Sequence, residues 1–103
     1  MTMHIADVKV PNEWVTLSSL IGGVEDGATY TLINTSPDIV YAVEGDIIPD
    51  STITGAPIHP SSYGIYSKGS QAELYLRNGY TPVAVSGVDS YVKESNISVN
   101  KVG

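Results

Sequence analysis

The sequence predicts a small all-β domain, folded as an antiparallel sandwich, jelly roll or barrel of about seven to eight short strands. Short segments with alternating apolar and polar residues recur at spacings of roughly 8 to 12 residues, and clusters of Gly, Pro, Asn and Asp separate them. No segment has the pattern of a long helix, and no internal repeat is visible. The 103 residues form a single domain, since a second hydrophobic core would not fit in this length.

The N-terminal segment has a weak strand pattern. Ile5–Val10 alternates imperfectly between apolar and polar side chains, and Pro11 follows it. This pattern predicts either an edge strand or an extended N-terminal arm over residues 1–11.

The segment Trp14–Ile21 is compatible with two structures. Its apolar residues fall at helical spacing, with Asn12 as the candidate cap and Gly22–Gly23 as the stop. The β-branched pair Val15–Thr16, however, favours a strand. We predict a strand here and keep a helix of about one or two turns as the alternative.

The clearest local prediction is a β-hairpin over Ala28–Glu44. Residues 28–33 and 39–44 each alternate between two faces, as strands with one buried face do. The segment between them, Asn34–Asp38, combines Asx side chains with Pro37, which keeps the preceding serine extended. These features predict two paired strands joined by a turn.

The segment Gly45–Ser62 has a different composition. Pro49, Pro57 and Pro60 interrupt any regular ladder, because proline lacks the backbone N–H donor and is restricted to edges, bulges and loops. We predict a long loop with a short strand around Thr52–Thr54. Long loops of compact domains often make intermolecular contacts.

The C-terminal half returns to strand patterns. Tyr63–Tyr66 and Ala72–Arg77 alternate and predict two strands. Asn78–Gly79 is a strong hairpin signal, because both residues tolerate a positive φ, and it predicts that a strand over Tyr80–Ser86 pairs with Ala72–Arg77. Residues 88–103 have a weaker pattern and predict a C-terminal edge strand or a tail.

Composition excludes several classes of function. The chain has no cysteine, so it has neither a disulfide framework nor a thiolate zinc site nor a cysteine nucleophile. The formal net charge is −6 with only five scattered Lys and Arg residues, which argues against nucleic acid as a partner. No segment has the roughly 20 apolar residues of a membrane span, and the N-terminus lacks the pattern of a signal peptide.

Two groups of residues could in principle bind an ion. Glu44, Asp46 and Asp50 bring carboxylates into one loop, as a calcium site requires, but their spacing matches no standard calcium loop and solvated acids are the commoner explanation. Gly22–Gly23 and Gly27 do not follow the strand, glycine, helix order of a phosphate-binding loop. We therefore predict no metal, no cofactor and no phosphate site.

A catalytic site has little support in the sequence. His59 lies close to Ser61 and Ser62, but neither serine has the Gly-x-Ser-x-Gly context of a strained nucleophile turn. The other histidine, His4, lies in the N-terminal segment. We predict that the chain is not an enzyme.

The aromatic residues are one tryptophan, seven tyrosines and no phenylalanine. Tyrosine combines apolar area with a hydroxyl and suits half-buried sheet faces and subunit contacts, although it is also simply a good strand residue. Trp14 is either a cap on the core, the commoner role of a lone tryptophan, or a platform for a sugar ring. In the second case Tyr63, Tyr66 and Tyr80 would stack on sugars as well.

Five segments together resemble a recurring pattern in small virion proteins of tailed bacteriophages. The pattern has an early Trp-x-x-Leu, a Gly-led strand that ends in Asn, a short aliphatic-aromatic strand, a proline-rich loop, and a strand that ends in Arg before a Val-Ala-Val strand. The matching segments are Trp14–Leu17, Gly27–Asn34, Val40–Ala42, Glu73–Arg77 and Val83–Val85. The resemblance spans most of the chain.

The resemblance implies a non-enzymatic structural protein that is made in the bacterial cytoplasm and located in the virion. Such proteins are capsid decoration (cement) proteins, head fibres or small tail components, and many are trimers whose arms embrace the neighbouring subunit. The implied partners are other copies of this chain, in a homotrimer, and a phage capsid or tail protein. A decoration protein would sit at local threefold axes of the head, with Met1–Pro11 as a bridging arm. A carbohydrate- or receptor-binding module is the alternative.

Overall fold

The computed structural model describes residues 2–49, 55–68, 72–79 and 94–102, which form eight strands and one short helix. The all-β prediction is confirmed. In chain order the elements are β1 (Thr2–Val10), β2 (Val15–Thr16), α1 (Leu17–Ile21), β3 (Thr29–Asn34), β4 (Val40–Gly45), β5 (Ala56–Ile58), β6 (Tyr63–Ser67), β7 (Glu73–Asn78) and β8 (Ser95–Val102). In this part of the chain no helix has the length and apolar character needed to cross a membrane.

The strands form two four-stranded antiparallel sheets that pack together. Sheet A has the order β1-β8-β3-β6, and sheet B has the order β2-β7-β4-β5. The pairs β1/β8, β2/β7, β3/β6 and β4/β5 match the first half of the chain with the second half in reverse order. Successive pairs alternate between the two sheets. This connectivity is that of a jelly roll, one of the architectures that the sequence predicts.

The core lies between the two sheets. Along the strands, inward side chains alternate with outward ones, as expected when one face of each sheet is buried. Leu17 at the start of α1 adds a fully buried side chain from outside the sheets. The buried apolar residues of the core are Val8, Val10, Leu17, Tyr30, Leu32, Val40, Ile58, Tyr66, Leu74, Leu76, Ile97 and Val99.

A short helix replaces the strand that was predicted beyond Thr16. The Thr16 Oγ1 accepts a hydrogen bond from the backbone N–H of Ser19 at 3.2 Å, which makes Thr16 the N-cap of α1. Gly22 ends the helix with a φ of 82°, in the left-handed region that favours glycine. The prediction of a strand over Trp14–Ile21 is therefore wrong after Thr16. The short-helix alternative is correct, but its cap is Thr16 and not Asn12.

The predicted β-hairpin over Ala28–Glu44 is wrong, although both of its strands exist. β3 lies in sheet A and β4 lies in sheet B, so the connection between them crosses from one sheet to the other. The fully buried side chain of Asn34 donates hydrogen bonds to the carbonyls of Asp38 at 2.6 Å and Ile58 at 2.9 Å. Its Oδ1 accepts from the backbone N–H and the hydroxyl of Ser36. These bonds fold the connection over the end of the sandwich instead of turning the chain back beside β3.

The N-terminal segment is an edge strand of sheet A. β1 pairs with β8 along its length, from Thr2 opposite Val102 to Val10 opposite Ser95, with an irregularity in the register around Ile5. Of the two predictions for residues 1–11, the edge strand is the one that the structure contains.

The last described strand lies in the interior of sheet A. β8 pairs with β1 on one side and with β3 on the other. The prediction of an edge strand or tail over residues 88–103 is therefore wrong for Ser95–Val102, and residues 88–93 lie outside the described residues. Ile97 and Val99 are fully buried on the inner face of this strand, which matches a position flanked by two neighbours.

Proline occurs at a sheet edge, as expected. Pro57 lies in β5, a three-residue edge strand of sheet B, and pairs with Tyr41 of β4. The short strand predicted around Thr52–Thr54 lies outside the described residues. β6 and β7 confirm the strands that were predicted at Tyr63–Tyr66 and Ala72–Arg77.

The hairpin partner predicted for β7, Tyr80–Ser86, lies outside the described residues. Within them β7 is paired on both sides, with β2 and with β4. Two backbone hydrogen bonds hold its C-terminal end: Asn78 donates to the carbonyl of Pro11 at 2.8 Å, and Gly79 donates to the carbonyl of Ile39 at 2.7 Å. Asn78–Gly79 thus ends a central strand.

The two ends of the sandwich carry different side chains. One end of the sandwich contains the last residues of β1, β3 and β7 and the first residues of β4 and β8. We call it the asparagine end because it contains Asn34 and Asn78. The opposite end contains the first residues of β3 and β7 and the last residues of β6 and β8. We call it the lysine end because it contains Lys68 and Lys101.

Candidate interaction surface

An exposed apolar patch covers the β6 edge of sheet A. Tyr63 and Ile65 on β6 are 64% and 67% exposed, and Ile33 on β3 is 36% exposed. Ile33 pairs with Tyr63 across the two strands, so these side chains form one outward surface, which we call the β6 patch. The sequence of β6, Tyr63–Ser67, contains no charged residue. Contiguous exposed apolar surface of this kind marks interaction sites.

A cleft of about 290 Å³ opens beside the β6 patch, between the edge strands β5 and β6. The core residues Leu32 and Leu74 line it, and Glu44 is the charged group among its described lining residues. Gly64 allows the two edges to approach, because a Cβ atom at this position would lie 3.2 Å from the Ile58 Cδ1. Because β5 belongs to sheet B and β6 to sheet A, the cleft opens between the two sheets at this edge of the sandwich.

Tyr66 also lines the cleft, and its hydroxyl reaches the lysine end. Its side chain is 2% exposed, and the hydroxyl donates a hydrogen bond to the carbonyl of Ala72 at 3.1 Å. Burial, followed by the negative charges of Glu73 and Glu44, raises the pKa of Tyr66 to about 12. The hydroxyl therefore stays protonated and can donate this bond throughout the neutral pH range.

Lys68 is a buried cation at the lysine end. Its side chain is 7% exposed, and its Nζ donates to the same Ala72 carbonyl at 2.8 Å and lies 3.5 Å from the Glu73 Oε1. The Ser18 hydroxyl donates to the other carboxylate oxygen of Glu73 at 2.8 Å. This network connects α1 with the strands β6 and β7. The sequence shows Lys68 only as one of five scattered basic residues, and no local pattern marks it as buried.

Asn78 links three elements at the asparagine end. Its side chain is fully buried and its Nδ2 donates to the hydroxyl of Ser95. The Nδ2 of Asn12 in turn donates to the Asn78 carbonyl at 2.8 Å. The connection between β1 and β2 is thereby fixed to the ends of β7 and β8. The amide of Asn12, which the sequence suggested as a helix cap, has this bridging role instead.

The structure describes two of the three carboxylates of the calcium hypothesis and the three glycines of the phosphate hypothesis. Glu44 and Asp46 are both exposed, and Asp50 lies outside the described residues. Among the residues that the structure describes, no group of three or more His, Asp or Glu side chains could hold a metal ion. Gly22–Gly23 and Gly27 all have positive φ. Turn geometry therefore explains these glycines.

His4 takes part in a polar cluster on sheet A. Its Nδ1 lies 3.2 Å from the Asn100 Oδ1 and 3.4 Å from the Ser98 hydroxyl, and its Nε2 lies 3.7 Å from the Asp7 carboxylate. The cluster contains the three groups of a catalytic triad, but the side chains of His4 and Asp7 are 52% and 78% exposed. Water therefore solvates the imidazole and the carboxylate, and the electrostatic advantage of a shielded site is lost.

His59 and its neighbouring serines form a turn at the asparagine end. The backbone N–H of Ser62 donates to the His59 carbonyl at 3.0 Å, and that of Ser61 donates to the Asn34 carbonyl at 2.8 Å. Ser61 has a φ of 64°, in the left-handed region. All three side chains are exposed. Within the described structure these residues connect β5 to β6, and their backbone groups make the contacts.

Trp14 is buried, with 7% of its surface exposed. This agrees with the prediction of a packed tryptophan and leaves little of the indole for stacking on a sugar. It borders a shallow cleft of about 230 Å³ whose other lining residues include Arg77 and Ile48. Of the tyrosines considered for sugar contacts, Tyr63 is exposed, Tyr66 is buried and Tyr80 lies outside the described residues.

The β6 patch was only partly visible in the sequence. Alternation places Tyr63 and Ile65 on one face of β6 and Gly64 and Tyr66 on the other. With a tyrosine on each face, the pattern does not show which face is buried. The structure buries Tyr66 and exposes Tyr63.

Comparison with known proteins found no relative of this chain. No family model, no curated protein and no solved structure matches this chain.

Proposed function

We propose that this chain is a non-enzymatic structural protein of a tailed-bacteriophage particle, namely a capsid decoration protein that forms a homotrimer and stabilises the head. The observation that carries the proposal is the β6 patch beside the open cleft, which gives a small jelly roll an apolar, uncharged contact surface. Jelly rolls are common in viral capsid and lectin domains. Because a fold alone does not determine function, the proposal depends on this surface and on the resemblance to phage virion proteins.

The charge of the chain is compatible with this role. A net charge of −6 keeps separate copies apart except where an uncharged surface mediates contact. Acidic residues elsewhere on the surface would be displayed outward or would face basic loops of the capsid protein. The β6 patch would then make the contacts between copies, and other surfaces would bind the capsid.

Light scattering after gel filtration, over a range of protein concentrations, tests the oligomeric state. We expect a trimer whose mass does not change with concentration. Immunoelectron microscopy of virions from the phage that encodes the chain tests its location, and we expect labelling of the head. A stable monomer that is absent from purified virions contradicts the proposal, and labelling of the tail or of head fibres replaces decoration with one of those roles.

A carbohydrate- or receptor-binding module is the second candidate, and the exposed Tyr63 beside the cleft favours it. An aromatic ring next to a polar group such as Glu44 could stack on a sugar and bind its hydroxyls. Saturable binding on a glycan array that disappears in Tyr63→Ala would support this candidate and count against a purely structural role. We expect no such binding, and no hydrolytic activity that depends on His59.

A further inference from the structure

The four edge strands of the described structure differ in how well they suit pairing with another chain. β2 has two residues, and β5 has three residues including Pro57. β1 has an irregular register around Ile5, followed by the charged residues Asp7 and Lys9. β6 has five residues, no proline, no charge and a regular register with β3. β6 is therefore the described edge that is best suited to accept a further strand.

The opposite edge of sheet A carries a second exposed apolar group. Met3 and Ile5 on β1 are 62% and 38% exposed. On the neighbouring strand β8, Val102 pairs with Thr2 and is 43% exposed. The exposed apolar side chains of β1 therefore lie in its N-terminal half, Thr2–Ile5, and the charges of the strand lie in its other half.

On the basis of the proposed function, we propose that β6 of one copy pairs with the Thr2–Ile5 half of β1 in the next copy. Sheet A would then continue from subunit to subunit. The sheet has four strands in antiparallel alternation, so β1 and β6 run in opposite directions. Rotation about an axis along the strands preserves these directions and places β6 beside an antiparallel β1. A head-to-tail contact of this kind closes into a ring, and at a threefold axis the ring has three copies.

Charge favours a second copy as the occupant of the β6 edge. The chain is acidic overall, so contact between copies is least costly where both surfaces are nearly neutral. β6 contributes no charged side chain, and Thr2–Ile5 contributes only the imidazole of His4. Beyond this half of β1, the acidic Asp7 is balanced by Lys9 on the same strand.

The absence of native cysteine allows a direct cross-linking test. The double variants Ile65→Cys/His4→Cys and Ile65→Cys/Ile5→Cys place thiols on both edges in two alternative registers. The strand pairings of sheet A put His4 on the same outer face as Ile65, through Asn100 and Thr31. Facing residues of antiparallel strands have Cα atoms about 4.5 to 5.5 Å apart, which is within reach of a disulfide. After mild oxidation we expect a covalent trimer in at least one double variant, while each single-cysteine variant stays uncross-linked. Ile47→Cys, on a loop residue that is 80% exposed, measures cross-linking through random collision.

Two results would overturn this inference. A covalent dimer of Ile65→Cys alone, formed faster than that of Ile47→Cys, would show that β6 pairs with β6 of a second copy. No linked species from either double variant would show that the two edges do not meet. If the unmodified chain is nevertheless a trimer, only the interface is wrong and the proposed function stands.

A second variant tests the same edge without cysteine. Ile65→Lys places a charge in the proposed contact while leaving the core intact, so we expect a monomer by light scattering that still unfolds cooperatively in urea. Ile47→Lys, the matched control, should keep the trimer. A trimeric Ile65→Lys would contradict the inference.

Discussion

The asparagine end and the lysine end close the same sandwich with different chemistry. At the asparagine end, the amides of Asn34 and Asn78 bond to carbonyls and hydroxyls, so every partner is neutral. At the lysine end, the Lys68 ammonium pairs directly with the Glu73 carboxylate. Lys68 and the hydroxyl of Tyr66, whose pKa is raised, both donate to the Ala72 carbonyl. The first network does not depend on protonation, whereas the second does.

This difference separates two ways to stabilise a small β domain. Buried neutral amides fix the direction of the chain, because each bond has a defined geometry and an unmade bond leaves a costly buried group. Buried ionisable groups add strength only while their charges and protons are in place. We therefore expect substitutions at the asparagine end to act at all pH values and those at the lysine end to depend on pH.

The largest effect is expected at Asn34. Asn34→Ala removes both side-chain donors and the acceptor for Ser36, leaving the carbonyl of Ile58 without this partner in the interior. We expect a loss of roughly 3 kcal/mol in the free energy of unfolding, measured by urea denaturation. Asn96→Ala, an exposed asparagine on β8, is the control and should change stability by less than about 0.5 kcal/mol. Equal effects for the two variants would mean that the buried hydrogen bonds of Asn34 do not stabilise the connection between β3 and β4.

The second effect is a loss of stability at high pH. The pKa of Tyr66 is raised from 10.0 to about 12 in the folded state, so its neutral form is favoured by folding. The stabilisation that the neutral Tyr66 hydroxyl gives the folded state is complete below pH 10. As the pH rises to 12 this stabilisation is lost, and the free energy of unfolding falls by about 2 to 3 kcal/mol for this shift.

Tyr66→Phe isolates this contribution. At pH 7 the variant should be about 1 kcal/mol less stable, because the hydrogen bond to Ala72 is lost. Near pH 12 the order should reverse, since phenylalanine cannot ionise. Urea midpoints at several pH values measure both, with the exposed Tyr63→Phe as the control. If wild type stays the more stable protein at pH 12, the assignment to Tyr66 is incorrect.

The third effect compares two lysines at the lysine end. Lys68→Met removes the cation from Glu73 and from the Ala72 carbonyl, and we expect a loss of roughly 2 kcal/mol by urea denaturation. Lys101→Met removes the ion pair with Glu25, which water screens, so we expect no resolvable change. Similar results for both variants would show that the burial of Lys68 has no energetic consequence.

The smallest effect is expected at the helix cap. Thr16→Ala removes the acceptor for the Ser19 N–H and should lower stability by about 0.5 kcal/mol, a value at the low end for caps because α1 has five residues. Thr16→Ser keeps the hydroxyl and should restore most of this stability. A thermal melt of the three proteins gives the comparison, and a destabilised serine variant would assign the effect to the threonine methyl group.

Local periodicity predicted most strands because alternation depends only on whether a residue faces the core. It did not predict which strands pair. In Ala28–Glu44, the same alternation arises whether β4 lies beside β3 or opposite to it across the core. The buried bonds of Asn34 decide between these arrangements, and their partner Ile58 is 24 residues away. A short stretch of sequence around Asn34 does not contain this partner, so it cannot indicate the hydrogen bond.

The candidate surface was predictable to a similar degree. Sequence identified β6 as a strand and Tyr63 as a residue available for contacts, but the exposure of Ile65 depends on which face meets β5 and the core. Trp14 followed the usual behaviour of a lone tryptophan and is buried. Lys68 did not follow the usual behaviour of lysine, because its buried position depends on the carbonyl of Ala72 and on Glu73 across a connection.

The pairing of Thr2 with Val102 has a consequence for synthesis. β1 and β3 emerge from the ribosome early, but β8, the strand that separates them in sheet A, is the last described strand to be made. Until then the edges of both strands that face β8 lack a partner, and the ladder cannot close by local pairing. Sheet A is therefore completed only after β8 has been made, and β1 exposes an unpaired strand edge until that point. A truncation before Ser95 would separate β1 from sheet A altogether.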